Sequence, residues 1–355
     1  MALNNSTKEK IATEVIRTLV SRFNSFPEDA SENRNAPFHT AFLKAFTDKF
    51  SGKVSDIPFF ISLSSWMHGL NTTLGQTFFE NIAHHICNGE KREYTSRRLG
   101  NLKITQTQRN HISQIIADLS NSTTQPNLHH ENSLLLVDYI DDVLINSMDF
   151  SADVFIEDDD VIYAIELKSV KPNSGEMKGE KQKMLEGKAA LFRAFPNKRI
   201  KFYMGFPFDP TVDTETEPET SYNKDRFLGQ IINMTKFFDK DKTLVGAELW
   251  DFLSGETQTM DQILEIINSI STVDFMYKYN YLLDNKNRSN PEYSCILSEW
   301  YLYSELDLVE SDAIISAKIS ENTQLKRMYN NQIFNNSNRK GSYRFDRYSV
   351  LKELL

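Results

Sequence analysis

The 355-residue sequence predicts an α/β protein, a mixed central sheet flanked by helices with further helical portions at both ends. Three observations carry this. Apolar residues recur at helical spacing through the first third, as in EKIATEVIRTLVSRF. From about residue 150 the pattern changes to alternation in ADVFIE and then to a continuous apolar run in VIYAIELKSV, the pattern of a hairpin whose second strand is central in a sheet. A long basic helical segment then leads into a third strand, RIKFYMGFPF.

Taken in order, residues 8–25 are an amphipathic helix and PEDASENRNAP is a polar loop. SSWMHGLNTTLGQTFFENIAHHI reads as a Gly-containing loop followed by a helix from Thr72 or Thr73 to Cys87, with Gly89 as its stop. A helix covers 106–120, and the polar SNSTTQPNLHHENS separates this helical third from the rest. SLLLVDYIDDVLI is compatible with strand or helix. The hairpin turns at EDDD and ends before Lys171-Pro172-Asn173; residues 176–195 form the basic helix, stopped by Pro196, and the third strand ends at Pro207. TVDTETEPETSYNKD is an acidic loop without an apolar pattern. Helices are expected around 225–239, 247–253 and 259–271, and the tail to Leu355 is less readable. The resulting division is a helical portion over 1–132 that lends the helix at about 72–87 to a core over 133–255, and a helical extension over 256–355, an arrangement compatible with one compact domain.

Composition bounds the class. No apolar run is long enough to span a bilayer and the start lacks a signal-type apolar segment, so a cytoplasmic protein with no membrane partner is expected. Two cysteines, Cys87 and Cys295, are too few for a disulfide framework. The net charge of −9 hides an uneven distribution: residues 168–201 hold ten Lys or Arg against three Glu, and residues 91–111 hold six against one. A local positive surface suited to nucleic acid is therefore compatible with an acidic chain.

A turn centred near Asp159 sets Asp153 opposite residue 165 or 166, while Glu166 and Lys168 share a strand face. Asp153, Glu166 and Lys168 then converge at the sheet end. Two carboxylates so placed repel unless a divalent cation lies between them, and Mg²⁺, which takes hard oxygen ligands and keeps several waters, suits the site. A lysine beside bound water orients or deprotonates it and offsets charge developing on a phosphate.

That pattern resembles the PD-(D/E)xK nuclease superfamily, with Asp153 followed by Glu166, Leu167 and Lys168; the usual Pro before the Asp is Ala152 here. The resemblance implies phosphodiester hydrolysis with Mg²⁺ held by Asp153 and Glu166, the Leu167 carbonyl as a further ligand, and Lys168 at the attacking water. The superfamily also carries an acid on a preceding helix, which Glu80 in LGQTFFENIAHHI supplies. A closer resemblance is to the TdeIII family of type II restriction endonucleases, carried by SSWMHGLNTTLGQTFFENIAHHICNG, by the stretch from ADVFIE to EGKAAL, by FYMGFPFDP and by AELWDFLSG. It implies a homodimer that cuts both strands of double-stranded DNA at a short palindromic C/G-rich site, leaving 5′-phosphates, within a system that includes a cognate DNA methyltransferase. A repair or junction-resolving nuclease of the same fold, or a non-catalytic DNA-binding protein that keeps it, are the alternatives.

For DNA contact, Lys171, Lys178, Lys181, Lys183 and Lys188 lie in or before the basic helix and are candidates for backbone phosphates. In the extension, Arg344, Asp346 and Arg347 of YRFDRY resemble the guanine-reading R-x-D-R of restriction enzymes with CCGG cores, although the family motif lies shortly after the catalytic lysine. Asp138, Asp141 and Asp142 stand as alternative ligands in another register. His84, His85 and Cys87, or His129 and His130, lack the second ligand pair a zinc site needs, and no phosphate-loop or dinucleotide-binding spacing is present.

Overall fold

The structure is a computed structural model that describes residues 2–27, 39, 41, 43–50, 52–53, 57–168, 176–337 and 339–355. The principal elements, numbered along the chain, begin with α1 (Asn5–Phe23), α2 (Ile57–Thr73), α3 (Phe79–Cys87), β1 (Glu90–Tyr94), β2 (Lys103–Thr105), α4 (Gln106–Ser120) and α5 (Leu128–Leu135). Next come β3 (Leu144–Asn146), β4 (Phe150–Glu157), β5 (Val161–Leu167), α6 (Glu176–Ala194), β6 (Arg199–Phe206) and β7 (Thr243–Val245). The chain closes with α7 (Ala247–Ser254), α8 (Thr259–Ile270), a run of short helices including α9 (Tyr303–Glu310), and α10 (Phe345–Lys352). It divides into two compact units, one of Met1–Leu3 with Phe79–Gln262, the other of Asn4–Phe78 with Ile263–Leu355.

In the first unit, among the described residues, five strands form a mixed sheet in the order β1-β4-β5-β6-β7. β1, β4 and β5 pair antiparallel, while β6 runs parallel to β5 and β7 parallel to β6. The parallel step from β5 to β6 needs a crossover, and α6 lies between the two strands in sequence and packs on β4 and β6. It lies close because residue 187 is Gly: a Cβ there would meet Phe150 Cδ2 at 2.8 Å and Phe202 Cε2 at 3.0 Å. Ala152, Ile162, Ala164, Phe202 and Met204 of the sheet, Ile112, Ile116 and Leu119 of α4, and Met184, Leu185 and Ala189 of α6 form one buried cluster. α4 starts on a capping box in which the Thr105 hydroxyl accepts from the Gln108 amide N–H and the Gln108 side chain accepts from the Thr105 N–H.

In the second unit, α1 is capped by the Asn4 side chain, and its buried Glu9 accepts from both the amide N–H and the hydroxyl of Ser304. Phe275 stacks on Trp300 and on Phe23, with Leu308, Ile315, Ile319 and Leu351 forming a further cluster.

The hairpin, α4, α6, α7, α8 and β6 lie where the sequence patterns predict them. Five segments differ. SSWMHGL is helical, part of α2, because an apolar helix without a polar face hides its periodicity. KREY belongs to β1, whose charged residues lack an apolar alternation. The ambiguous SLLLVDYIDDVLI divides into the end of α5, an irregular stretch and the start of β3. The helix expected over 225–239 is two short helices, Lys224–Gln230 and Met234–Phe237, separated where Asn233 takes a left-handed φ of 65°. The acidic loop is tied down, since Arg226 Nη1 and Nη2 donate to the two Glu217 carboxylate oxygens at 3.1 and 2.8 Å.

Candidate active site

In the hairpin Val154 faces Ile165 and Phe155 faces Ala164, so one further step puts Asp153 across from Glu166. The turn at Asp159 and Asp160, closed by the Asp158 N–H to the Val161 carbonyl, sets that register. Asp153 is held on both carboxylate oxygens. Oδ2 accepts from the Leu167 amide at 2.9 Å, and Oδ1 lies 3.0 Å from Lys91 Nζ. Glu80, near the start of α3, receives the same ammonium at 3.1 and 3.2 Å. Beside this pair, Glu166 Oε2 accepts from the Ser151 hydroxyl at 3.2 Å, and Lys168 Nζ bridges Glu166 at 3.1 Å and Glu180 of α6 at 3.4 Å. The structure thus brings the four predicted side chains of Asp153, Glu166, Lys168 and Glu80 to one end of β4 and β5.

The sequence reading missed four others that stand with them. Lys91 enters from β1, a strand the sequence did not announce. His84 Nε2 lies 2.6 Å from the Asp153 carbonyl; a carbonyl only accepts, so this nitrogen carries the proton. Ser151 is offered by alternation along β4, two residues before Asp153, and Glu180 by the helix that follows. A cavity of about 220 Å³ opens beside Glu166 and is lined also by Ser151, Glu180 and Lys183.

Burial, with the Asp153 carboxylate as the next contribution, raises the pKa of both Glu80 and Glu166; Lys91 and Lys168 respectively offset part of this. For both lysines burial pulls the other way but is outweighed. Glu166 and Glu180 raise the Lys168 pKa, and Asp153 and Glu80 raise that of Lys91. The cluster is therefore an array of carboxylates around two ammonium groups, an oxygen-rich environment that draws cations.

Other candidates fare differently. Lys178 is exposed and Lys183 half exposed, with a 3.4 Å approach to Glu180. Lys181 and Lys188 do not lie on that surface: Lys181 is fully buried against Glu131 at 2.5 Å, and the buried Lys188 donates to Asn132. They occupy the inner stripe of α6 with Met177 and Met184, so neither reaches a phosphate. Lys171 lies outside the described residues. Arg344, a quarter exposed, stands 3.4 Å from the exposed Asp346. Arg347 corrects its base-reading expectation, being fully buried in an ion pair with Glu305 that leaves it no reach to a base. Asp142 accepts from the Thr107 amide at the start of α4, and Asp138 pairs with Arg193. Among the described residues no three His, Cys, Asp or Glu side chains gather as a ready metal cage. The Cys87 thiol donates within its own helix to the Ala83 carbonyl.

No described helix is long and apolar enough to cross a membrane. Residues 3–271 match the family described as HinfI type II restriction endonucleases. The type II restriction enzyme MjaII of Methanocaldococcus jannaschii is 41% identical over 358 residues, an alignment that covers 96% of this chain and 95% of that enzyme. Neither match bears on the TdeIII family itself; what they share with it is the type II restriction endonuclease class. A hairpin that ends in Asp153, Glu166 and Lys168, an acid brought in by α3, and a family match across most of the chain agree, and the chain belongs to the HinfI family of type II restriction endonucleases.

Proposed function

We propose that this site-specific deoxyribonuclease is Mg²⁺-dependent and acts as a homodimer, cutting both strands of a short palindromic C/G-rich site to leave 5′-phosphate ends. The observation that carries the reading is a single cation, Lys91 Nζ, shared by Glu80 and Asp153 at the end of a strand pair where Glu166 and Lys168 stand alongside. Hard oxygen donors that already gather round a positive charge fit Mg²⁺. Asp153, Glu166 and the Leu167 carbonyl would hold the ion, and Glu80 would be the outer acid. When bound, Mg²⁺ supplies positive charge that polarises the scissile phosphate and stabilises the leaving 3′-oxygen.

The protein groups divide the remaining work. The Leu167 amide and His84 fix the Asp153 side chain and backbone respectively, so the carboxylate would serve as a ligand without reorganising. Lys168, paired with Glu166 and Glu180, would orient the attacking water in line with phosphorus and offset the charge gathering on the phosphate. Lys178 and Lys183 would position backbone phosphates, and Arg344 with Asp346 would read a base in the major groove. A two-fold site is most simply cut by a two-fold dimer. A methyltransferase of the same specificity would protect the host DNA.

Incubating the purified protein with a long duplex of known sequence and Mg²⁺, then sequencing the fragment ends, tests this directly. The expected result is 5′-phosphate ends at one recurring palindrome; scattered ends, or cleavage confined to branched DNA, would overturn it.

A further inference from the structure

We propose that Lys91 is a built-in counter-ion that occupies the cation position between Glu80 and Asp153 and is withdrawn when a divalent metal enters, so that metal affinity is set by an exchange of ammonium for metal. The inference rests on the reading above that these two carboxylates belong to the metal site.

The strand geometry places Lys91 there. Glu90 of β1 faces Phe155 of β4, but Arg92 faces Ala152, so between them one residue, Lys91, stands against two, Asp153 and Val154. A bulge of this kind bends the strand and re-aims side chains, and bulges collect beside active sites. Its start is held close by Gly89, where a Cβ would come within 3.0 Å of both the Phe155 carbonyl and the Cys87 sulfur. Asp153 and Lys91 are thereby set against each other, and the bulged Asp153 carbonyl is the one taken by His84.

The partners differ in freedom. The Glu80 and Asp153 side chains are 14% and 10% exposed and fixed by a helix and by a backbone amide, whereas Lys91 is 38% exposed on an edge strand. Its stem has four rotatable carbons and can carry the ammonium to water without disturbing the carboxylates. Lys168, also shared by two carboxylates, is only 22% exposed and follows β5, an inner strand of the sheet, so it has less room to leave. With the ammonium in place the two acids stay compensated; an empty pair of facing carboxylates would repel. Lys91 is on this account a positioning residue that trades stability of the metal-free enzyme against ease of metal entry.

The test is calorimetric titration of the whole protein with Mg²⁺ in the absence of DNA, for wild type, Lys91→Met, Lys91→Arg and Asp153→Asn. Lys91→Met keeps the stem and removes the charge, and should bind Mg²⁺ roughly tenfold more tightly, as removal of a competing cation implies. Lys91→Arg retains a competing cation and should stay near wild type. Unchanged or weaker binding by Lys91→Met, with binding lost in Asp153→Asn, would overturn the exchange while leaving the metal site intact. Wild-type affinity in Asp153→Asn would instead overturn the site reading. A second measurement avoids variants altogether: amine-labelling of Lys91 in the wild-type protein should rise on adding Mg²⁺, and labelling that is indifferent to the metal would count against the exchange.

Discussion

Two charged clusters, one in each unit, show how differently a protein can use ionic groups. At the sheet end, Glu80, Asp153, Glu166 and Glu180 share the ammonium groups of Lys91 and Lys168, and every member keeps some access to solvent. Around Glu305 the charges are closed in: Arg347 and Glu305 are fully buried, the carboxylate also accepts from Tyr343 and Arg288, and Arg347 donates further to the Met328 and Tyr329 carbonyls. The second network pairs both of its guanidinium groups with one buried carboxylate and is a fastening. The first has carboxylates in excess and a removable cation, which is the condition for binding something else.

Breaking each cluster should separate activity from stability. Asp153→Ala or Lys168→Ala is expected to abolish DNA cleavage; Lys168→Ala should move the denaturation midpoint little, because Lys168 lies just past the end of β5, whereas Asp153→Ala strips the buried Leu167 amide of its acceptor and should also cost about 1–3 kcal/mol. Glu305→Ala is expected to cost roughly 3–5 kcal/mol of stability, since it strands the buried Arg347. Its cutting rate below the melting temperature should remain near wild type. Activity in the Asp153 variant, or an unaltered midpoint in the Glu305 variant, would erase the contrast.

A third cluster sharpens it. Lys242, Lys188 and Lys181 are buried together with Glu131 as their nearby carboxylate. Burial first, then the two neighbouring lysines, pushes Lys242 down to about 6. Between that value and the ordinary lysine range the unfolded chain binds the proton and the folded one does not, so stability rises with pH through this window. The cost is greatest and constant below pH 6. Lys242→Met should flatten the rise and stabilise the protein at neutral pH, read from denaturant midpoints between pH 6 and 10; an unchanged slope would assign Lys242 a counter-charge.

The smallest effect concerns the helix surface. Neutralising the exposed Lys178 and Lys183 should weaken binding to all sequences alike and reduce the slope of log K against log salt by about one for each phosphate no longer neutralised. The buried Lys181 and Lys188 are outside that expectation, and a slope that moves with Lys188→Gln but not with Lys178→Gln would reverse the assignment.

These contrasts also mark what the sequence disclosed. The hairpin was readable because a continuous apolar run, VIYAIEL, ends in charged residues that a buried strand has no other use for. Lys91 was not, since EKREY has no apolar pattern and joins the sheet only through pairing with residues some sixty positions later. The RxDR reading failed at Arg347 because its partner, Glu305, lies 42 residues away and nothing local announces it. Lys181 and Lys188 are a gentler case. Their seven-residue spacing alongside Met177 and Met184 places them on the apolar stripe, and counting charge without counting spacing put them on the surface.

The discontinuity of the second unit sets an order of events during synthesis. The strands of the sheet are all made by residue 245, within an uninterrupted stretch of chain. Glu9 of α1 accepts from Ser304, 295 residues downstream. At roughly 5–20 residues per second that partner arrives about 15–60 s later. The nuclease sheet is complete in the nascent chain while α1 still waits, and the unit that closes last is the one whose two halves are made before and after the sheet.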